Sequence, residues 1–514
     1  MSDQGKSSNE PSSVFNDLRL KGEFCDAVIK VEDVEFQIHR VVLCRCSPYF
    51  LALFRRWSTP DQRVFDIPGL SPGMMEVIIE FAYNGSVSVT KQNVQELLLA
   101  ADQLTVMDIV HTCCNFLGEQ LCPKNCIGIF QFTNICCCSE LQRKAFHYII
   151  DHFEEVVSSE EFLELSVQEI SDIIDRDDLN VRKESTVFEA ILRWITNLPE
   201  ERKVHIAVLL SKVRLGLTSM NYMRNNVMSN ELVTNNIECQ PIVKEASETI
   251  FHIMTNRHNV FGLSHPLARP RLPNAILLAI GGWSGGDPTN GIEAYDIRTD
   301  YWINVSNSHE RPRAYHGTAF LNKNVYCVGG FDRVEHFNSV RRFDLSTRTW
   351  HEVASMYCRR CYVSVTVLNG YIYAMGGYDG HTRLNTAERY RPETNQWSLI
   401  APMHEHRSDA SCTTLHNKVG EVKEQLGIIQ QMLEDRLFVV GGFNGFTTSY
   451  NVEYYDATTD EWSEACDMEI FRSALSCCVV SGLPNMAEYT VPRDTLTLSC
   501  LDDVSDNQHL FYEN

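Results

Sequence analysis

Side chains that could do chemistry gather in two places. The first is a cysteine-dense stretch, Cys113-Cys114, Cys122, Cys126 and Cys136-Cys137-Cys138, with His111 beside it. Structural zinc takes paired ligands two to four residues apart at a defined separation. Cys122 and Cys126 fit that loosely, but adjacent cysteines on a helix point about 100° apart. The stretch therefore reads as small buried hydrophobes with a few reactive thiols. No metal ligand set and no cofactor is expected. The second place is a series of arginines, Arg313, Arg360, Arg407 and Arg472, each followed by Tyr315 and His316, Tyr362, Asp409 or Ser473. Arginine and aromatic residues dominate binding hot spots, so Arg313, Tyr315, Arg360, Tyr362, Arg407 and Arg472 are candidate contacts for a client protein. An element present in every repeat can equally serve the repeat's own packing. Phosphate-binding glycine loops, a Gly-x-Ser-x-Gly elbow and a His-Glu-x-x-His motif are absent, and the chain reads as non-catalytic.

The arginines are spaced 47, 47 and 65 residues apart. Trp302, Trp350, Trp397 and Trp462 follow at 48, 47 and 65, and double glycines stand at 281–282, 329–330, 376–377 and 441–442. A period near 50 with one Gly-Gly and one Trp per unit is the signature of a kelch β-propeller. Each unit is a four-stranded blade that must pack against neighbours around a central axis. Arg407 to Gly441 spans 34 residues where Arg313 to Gly329 and Arg360 to Gly376 span 16, an excess of 18. The spacing of Val422, Leu426, Ile429 and Leu433 predicts a helix within that excess.

Upstream, Ile29, Val31, Val34, Phe36 and Ile38 alternate with polar residues and predict a β-hairpin turning near Glu32-Asp33. Ser47-Pro48 and Ser71-Pro72 predict helix starts. Met75, Ile78, Ile79, Ala82 and Tyr83 make one helical stripe, and Val94, Leu97, Leu98, Ala101 and Leu104 another, with a short strand at Val87 to Val89 between them. From about Pro123 to Arg257 the pattern is helical, with capping boxes at Ser158, Ser166 and Thr186. Pro266, Pro270 and Pro273 predict an extended linker.

The chain of 514 residues carries 67 acidic against 45 basic residues, which disfavours nucleic acid and anionic membrane as partners. No apolar run approaches the roughly 20 residues that a spanning helix needs. The polar start, Met1 to Val14, lacks a signal-peptide core. The expectation is a soluble cytoplasmic protein with reduced thiols.

Cys25-Asp26-Ala27-Val28, His39-Arg40-Val41-Val42-Leu43, Ser47-Pro48-Tyr49-Phe50, the helical middle and the four glycine-rich units together resemble the kelch-like family. That resemblance implies a multidomain chain: a disordered tail at 1–13, an α+β BTB domain at 14–121, an all-α BACK domain at 122–256, a linker at 257–273, an all-β kelch propeller at 274–482 and a tail at 483–514. Only four blades are countable where the family's propellers usually have six. It also implies a BTB homodimer, with Val14, Phe15, Leu18 and Asp26 at the seam, and cullin-3 bound through Trp57, Asp61, Asn125 and Phe132. The acid at Asp61 is displaced from its usual place after Trp57-Ser58-Thr59. Arg40 and His39 match positions that shape the BTB core, where His39 reads as a satisfied core histidine. The implied role is a substrate adaptor of a cullin-3 ubiquitin ligase, against a rival role as an actin-binding scaffold. Residues 279–286 and 360–365 most resemble a member found in male germ cells.

Overall fold

The computed structural model describes residues 11–59, 61–136, 138–255, 265–306, 310–408, 411–415, 418–422, 430–433, 436–443, 448–456 and 459–493. They belong to two compact units, 1–166 and 167–514. Of the expected tail at 1–13, residues 1–10 lie outside the described residues, while Pro11 opens a helix.

The first unit is α1 (Pro11–Leu20), β1 (Ala27–Val31), β2 (Val34–Ile38), α2 (Arg40–Cys46), α3 (Pro48–Arg55), β3 (Val64–Asp66), α4 (Pro72–Asn84), α5 (Val94–Gln103), α6 (Met107–Glu119), α7 (Cys126–Phe132), α8 (Ser139–Asp151) and α9 (Phe153–Val156). β1 and β2 pair from Ala27↔Ile38 to Val31↔Val34, so alternate residues Ile29, Val31 and Ile38 face the core. Ser47 and Ser71 cap α3 and α4 by accepting the Phe50 and Met74 N–H groups. The stripes on α4 and α5 are buried. The third strand of the sheet is β3, parallel to β1, and not Val87 to Val89. Those two valines instead pack directly on the helical core, a use of alternation that needs no ladder partner.

The second unit begins with α10 (Val167–Asp175), α11 (Glu184–Asn197), α12 (Pro199–Arg202), α13 (Ile206–Leu210), α14 (Met220–Tyr222), α15 (Glu231–Thr234) and α16 (Cys239–Thr255). α11 starts two residues before the expected cap at Thr186. Buried Glu184 holds its start, accepting Arg271 Nε at 2.6 Å and the Arg214 backbone N–H at 3.1 Å. The proline-rich linker is pinned by that arginine and by an Arg269–Asp177 pair.

Strands follow from residue 275. The first blade holds β4 (Ala275–Ile280), with the small ribbon β5 (Trp283–Ser284) and β6 (Asp287–Pro288), then β7 (Ile292–Asp296) and β8 (Tyr301–Asn304). β9 (Gly317–Leu321), β10 (Asn324–Val328), β11 (Val340–Asp344) and β12 (Thr349–Val353) make the second, and β13 (Ser364–Leu368), β14 (Tyr371–Met375), β15 (Ala387–Arg391) and β16 (Gln396–Ile400) the third. β17 (Ser411–Leu415) and β18 (Lys418–Val422) form a two-stranded sheet. β19 (Gln430–Leu433), β20 (Arg436–Phe443), β21 (Thr448–Asp456) and β22 (Glu461–Ala465) make the last full blade. β23 (Ser476–Ser481) returns to pair with β4, clasping the first blade as its inner strand.

The helix expected between His416 and Leu433 is therefore a correction. Val422 ends β18 and Leu433 ends β19, while Leu426 and Ile429 lie outside the described residues. Ladder pairing on a neighbouring strand satisfies the backbone there and overrides a spacing that imitates a helix. Among the described residues the inner strands neighbour one another in the row β19, β23, β9, β13, β17. The described residues form four complete blades plus a half-blade. A Cβ on Gly281 or Gly329, both at positive φ, would collide with the carbonyl oxygen of Arg313 or Arg360, which is why each blade turn takes glycine.

Candidate functional site

On the first unit, the loop after α3 presents Trp57, 63% exposed, with its ring edge-on to Tyr49 at 5.7 Å, and exposed Asp61. Asn125 spends its side chain inside the chain: its Oδ1 accepts the Cys122 N–H at 2.8 Å and its Nδ2 donates to the Gln120 carbonyl at 2.9 Å. Phe132 is half-buried against the core. A cullin surface drawn from these four therefore has an accessible half, Trp57 and Asp61, and a supporting half.

α1 carries exposed Val14, Phe15 and Leu20 on a helix packed against α4, with Leu18 half-buried and Phe24 exposed after it. Asp26 is exposed and accepts the Arg40 N–H at 2.8 Å. His39 is buried. Its Nε2 faces the Glu23 carbonyl at 3.0 Å, and its Nδ1 faces the Tyr83 hydroxyl at 2.8 Å. The carbonyl can only accept, so Nε2 donates and Nδ1 accepts from the hydroxyl. Both ring nitrogens are thereby satisfied, as a structural histidine requires.

Cys113, Cys136 and Cys138 are buried in the same core. The Cys136 thiol donates to the Phe132 carbonyl at 3.3 Å, and burial pushes Cys113 and Cys136 up to about 12. Among the described residues no group of three or more His, Cys, Asp or Glu side chains is placed to hold a metal ion.

The arginines of the propeller require a correction. Arg313, Arg360 and Arg472 are buried and cannot form a client-facing ring. Each closes its own blade: Arg360 donates to the Gly376 and Thr386 carbonyls at 2.7 and 2.9 Å, and Arg472 to those of Gly281 and Gly291 at 3.1 and 2.9 Å. Arg360 is also ion-paired with Glu388, and Arg472 with Glu293. The packing role prevails because the free carbonyls of every Gly-Gly turn need a donor that water cannot supply there. Arg407, at the equivalent place, is only half-buried.

The tyrosines fare differently. Tyr315 and Tyr362 stand at positive φ, as does Ala474, a conformation uncommon for such residues. The reason is a chain of bonds linking the blades: Tyr362 N–H donates to the Tyr315 carbonyl at 2.8 Å and Tyr315 N–H to that of Ala474 at 2.9 Å. This brings the two rings within 4.3 Å of each other, their planes tilted by 44°, and Trp283 within 6.3 Å of Tyr315. Arg333 lies over Trp283 at 5.4 Å and pairs with Asp287 at 2.7 Å. Tyr315 and Tyr362, both named from the sequence, are half-buried and clustered, and Trp283 beside them is the aromatic that the arginine spacing did not point to. Its place directly after the first Gly-Gly pair was its available signal.

Comparison with known families agrees with this geometry. The BTB/POZ domain model matches residues 15–121, the BACK model 126–228, and the Kelch motif 276–308, 312–357, 359–404 and 432–469. Kelch-like protein 3 of Bos taurus and of Homo sapiens is 36% identical over 323 residues, which is 62% of this chain and 54% of the relative. The chain belongs to the kelch-like family. It spans about half the length of the curated relatives it matches. As in other kelch-like chains, an α+β BTB domain, a helical BACK region and β-stranded kelch motifs follow one another. The interval 405–431, which holds the half-blade, falls between matched kelch motifs. Among the described residues no helix is long and apolar enough to cross a membrane.

Proposed function

We propose that this chain is the substrate-recognition adaptor of a cullin-3 RING ubiquitin ligase. It would pair with a second copy through its BTB domain, recruit cullin-3 there, and hold a protein client on its propeller. The observation that carries the reading is the family order BTB, BACK and kelch on one chain, together with exposed Trp57 and Asp61 on the loop after α3. The chain supplies proximity, and the transfer chemistry belongs to its recruited partners. The client surface in this reading is the cluster of Trp283, Tyr315 and Tyr362. The cytoplasm is the compartment, and the germ-cell likeness at 279–286 and 360–365 points to spermatogenesis.

Purified full chain is expected to retain cullin-3 in a pull-down. Trp57→Ala combined with Asp61→Arg is expected to weaken that binding by more than about tenfold, or about 1.4 kcal/mol. Unchanged affinity, with co-sedimentation on actin filaments, would favour the scaffold role instead. Phe15→Asp with Leu18→Asp is expected to shift the chain toward monomer in light scattering at micromolar concentration, because charged groups would have to be buried in the seam.

A further inference from the structure

The last and the third full blades carry exposed faces of opposite charge. In each full blade an aromatic on the third strand pairs with the tryptophan of the fourth: Tyr295 with Trp302, Phe343 with Trp350, Tyr390 with Trp397 and Tyr455 with Trp462. Trp302 donates its indole N–H to the Cys466 carbonyl at 2.9 Å and Trp397 to that of Ala354 at 2.8 Å. Each acceptor lies four residues past the tryptophan of the preceding blade, so this face is where one blade seats on another. Trp302 and Trp397 are 1% and 5% exposed, and Trp462 is 54% exposed. Beside it Glu453, level with the fully buried Glu293 and Glu388, is also exposed and stands opposite exposed Glu464. This face is aromatic and acidic.

The far face of the third blade, the side on which the half-blade packs, is aromatic and basic. There Arg389 lies over Tyr371 at 5.0 Å and opposite Tyr373 in register, with Arg391 two residues on. Both arginines are exposed. Arg391 pairs with exposed Glu393 at 3.4 Å. The half-blade packs against inner strand β13 of this blade.

We propose that a second copy of this chain seats its Trp462, Glu453 and Glu464 face on the Arg389 and Arg391 face of the first, and reciprocally, as a self-association surface separate from α1. Opposite charge sets its register and partner, and a reciprocal pair of identical patches closes at two copies.

The test uses two differently tagged full-length variants. One carries Glu453→Lys and Glu464→Lys, making both of its faces basic; the other carries Arg389→Glu and Arg391→Glu, making both acidic. All four positions are exposed, so both variants should fold, with circular dichroism as the check. The mixed pair is expected to associate at least about tenfold more tightly than either variant with itself, measured by sedimentation velocity and tag capture. Any association through the BTB domain is common to all three mixtures and cancels. Trp462→Ser in the otherwise unaltered chain is expected to lower self-association by a similar factor. Equal association in the three mixtures would overturn the proposal. So would recovery only when all four reversals sit on one chain, since that places the contact within a single copy.

Discussion

The first and third blades solve the same problem one way, and the second blade solves it another. In the first and third, a buried arginine meets a fully buried carboxylate, Arg472 with Glu293 and Arg360 with Glu388. In the second blade the residue level with those carboxylates is Arg341, which turns away to Glu310 at 2.9 Å. Arg313 is left bonding the Gly329 carbonyl at 2.9 Å and the Ser339 carbonyl at 3.4 Å, its guanidinium over the Phe337 ring at 4.8 Å. Burial holds Arg313 below its ordinary guanidinium range, with no carboxylate in direct contact to oppose it. All three blades keep the bonds to the turn carbonyls, whereas the ion pair is dispensable. The repeated arginine is first a donor that closes the Gly-Gly turn, and its charge is a burden that two blades neutralise and one tolerates.

The largest test of this contrast is Arg360→Met. It strands Glu388 as a buried charge and is expected to cost about 3–5 kcal/mol in urea unfolding, while Arg360→Met with Glu388→Leu recovers most of that loss. If the single and double variants cost the same, the carboxylate is not the source of the penalty. Arg313→Met strands no carboxylate and unpairs only carbonyls, so a smaller loss of about 1–3 kcal/mol is expected. A loss matching that of Arg360→Met would erase the distinction between the blades.

The smallest effect at neutral pH concerns His316, three residues after Arg313. It is buried, and neither ring nitrogen has a hydrogen-bond partner among the described residues. The equivalent places hold Val363 and Leu475, which are apolar. Burial, and then the neighbouring Arg313, lower His316 from 6.5 to about 3. The unfolded chain therefore binds the proton more readily than the folded one. Stability should fall as pH drops below about 6.5, by up to about 1.4 kcal/mol per pH unit, and level off near 3. His316→Leu is expected to add about 1 kcal/mol at neutral pH by removing unpaired polar atoms and to flatten that part of the acid limb. An unchanged pH profile in the variant would assign acid sensitivity to another group.

Much of this organisation was legible in the residues. Ser47-Pro48 and Ser71-Pro72 marked helix starts because capping is a matter of three or four consecutive positions. Recurrence of Gly-Gly, Arg and Trp disclosed the blades because every blade repeats the same local solution. The short strand at Val64 to Asp66 was missed, since three residues carry no periodicity and its parallel pairing with β1 is set by a partner 36 residues away. Trp57 and Asp61, named from the sequence, stand exposed, but that Asn125 spends its amide on its own turn was visible only once the chain had folded.

By itself the sequence determined that there are blades, where the first three lie, and that a cysteine-rich helical region follows a small α+β domain. Only the tertiary structure decided what those features do. Arg360 became structural because Glu388 reaches it from 28 residues away, and Arg472 because Glu293 meets it across 179. Residues 418–422 and 430–433 became strands because neighbouring strands supplied hydrogen bonds that a helix would have supplied internally. Trp302 is covered and Trp462 open although both sit in the same motif. The physical reason is the same throughout: burial and charge compensation belong to neighbours in space, and residue spacing records only neighbours in the chain.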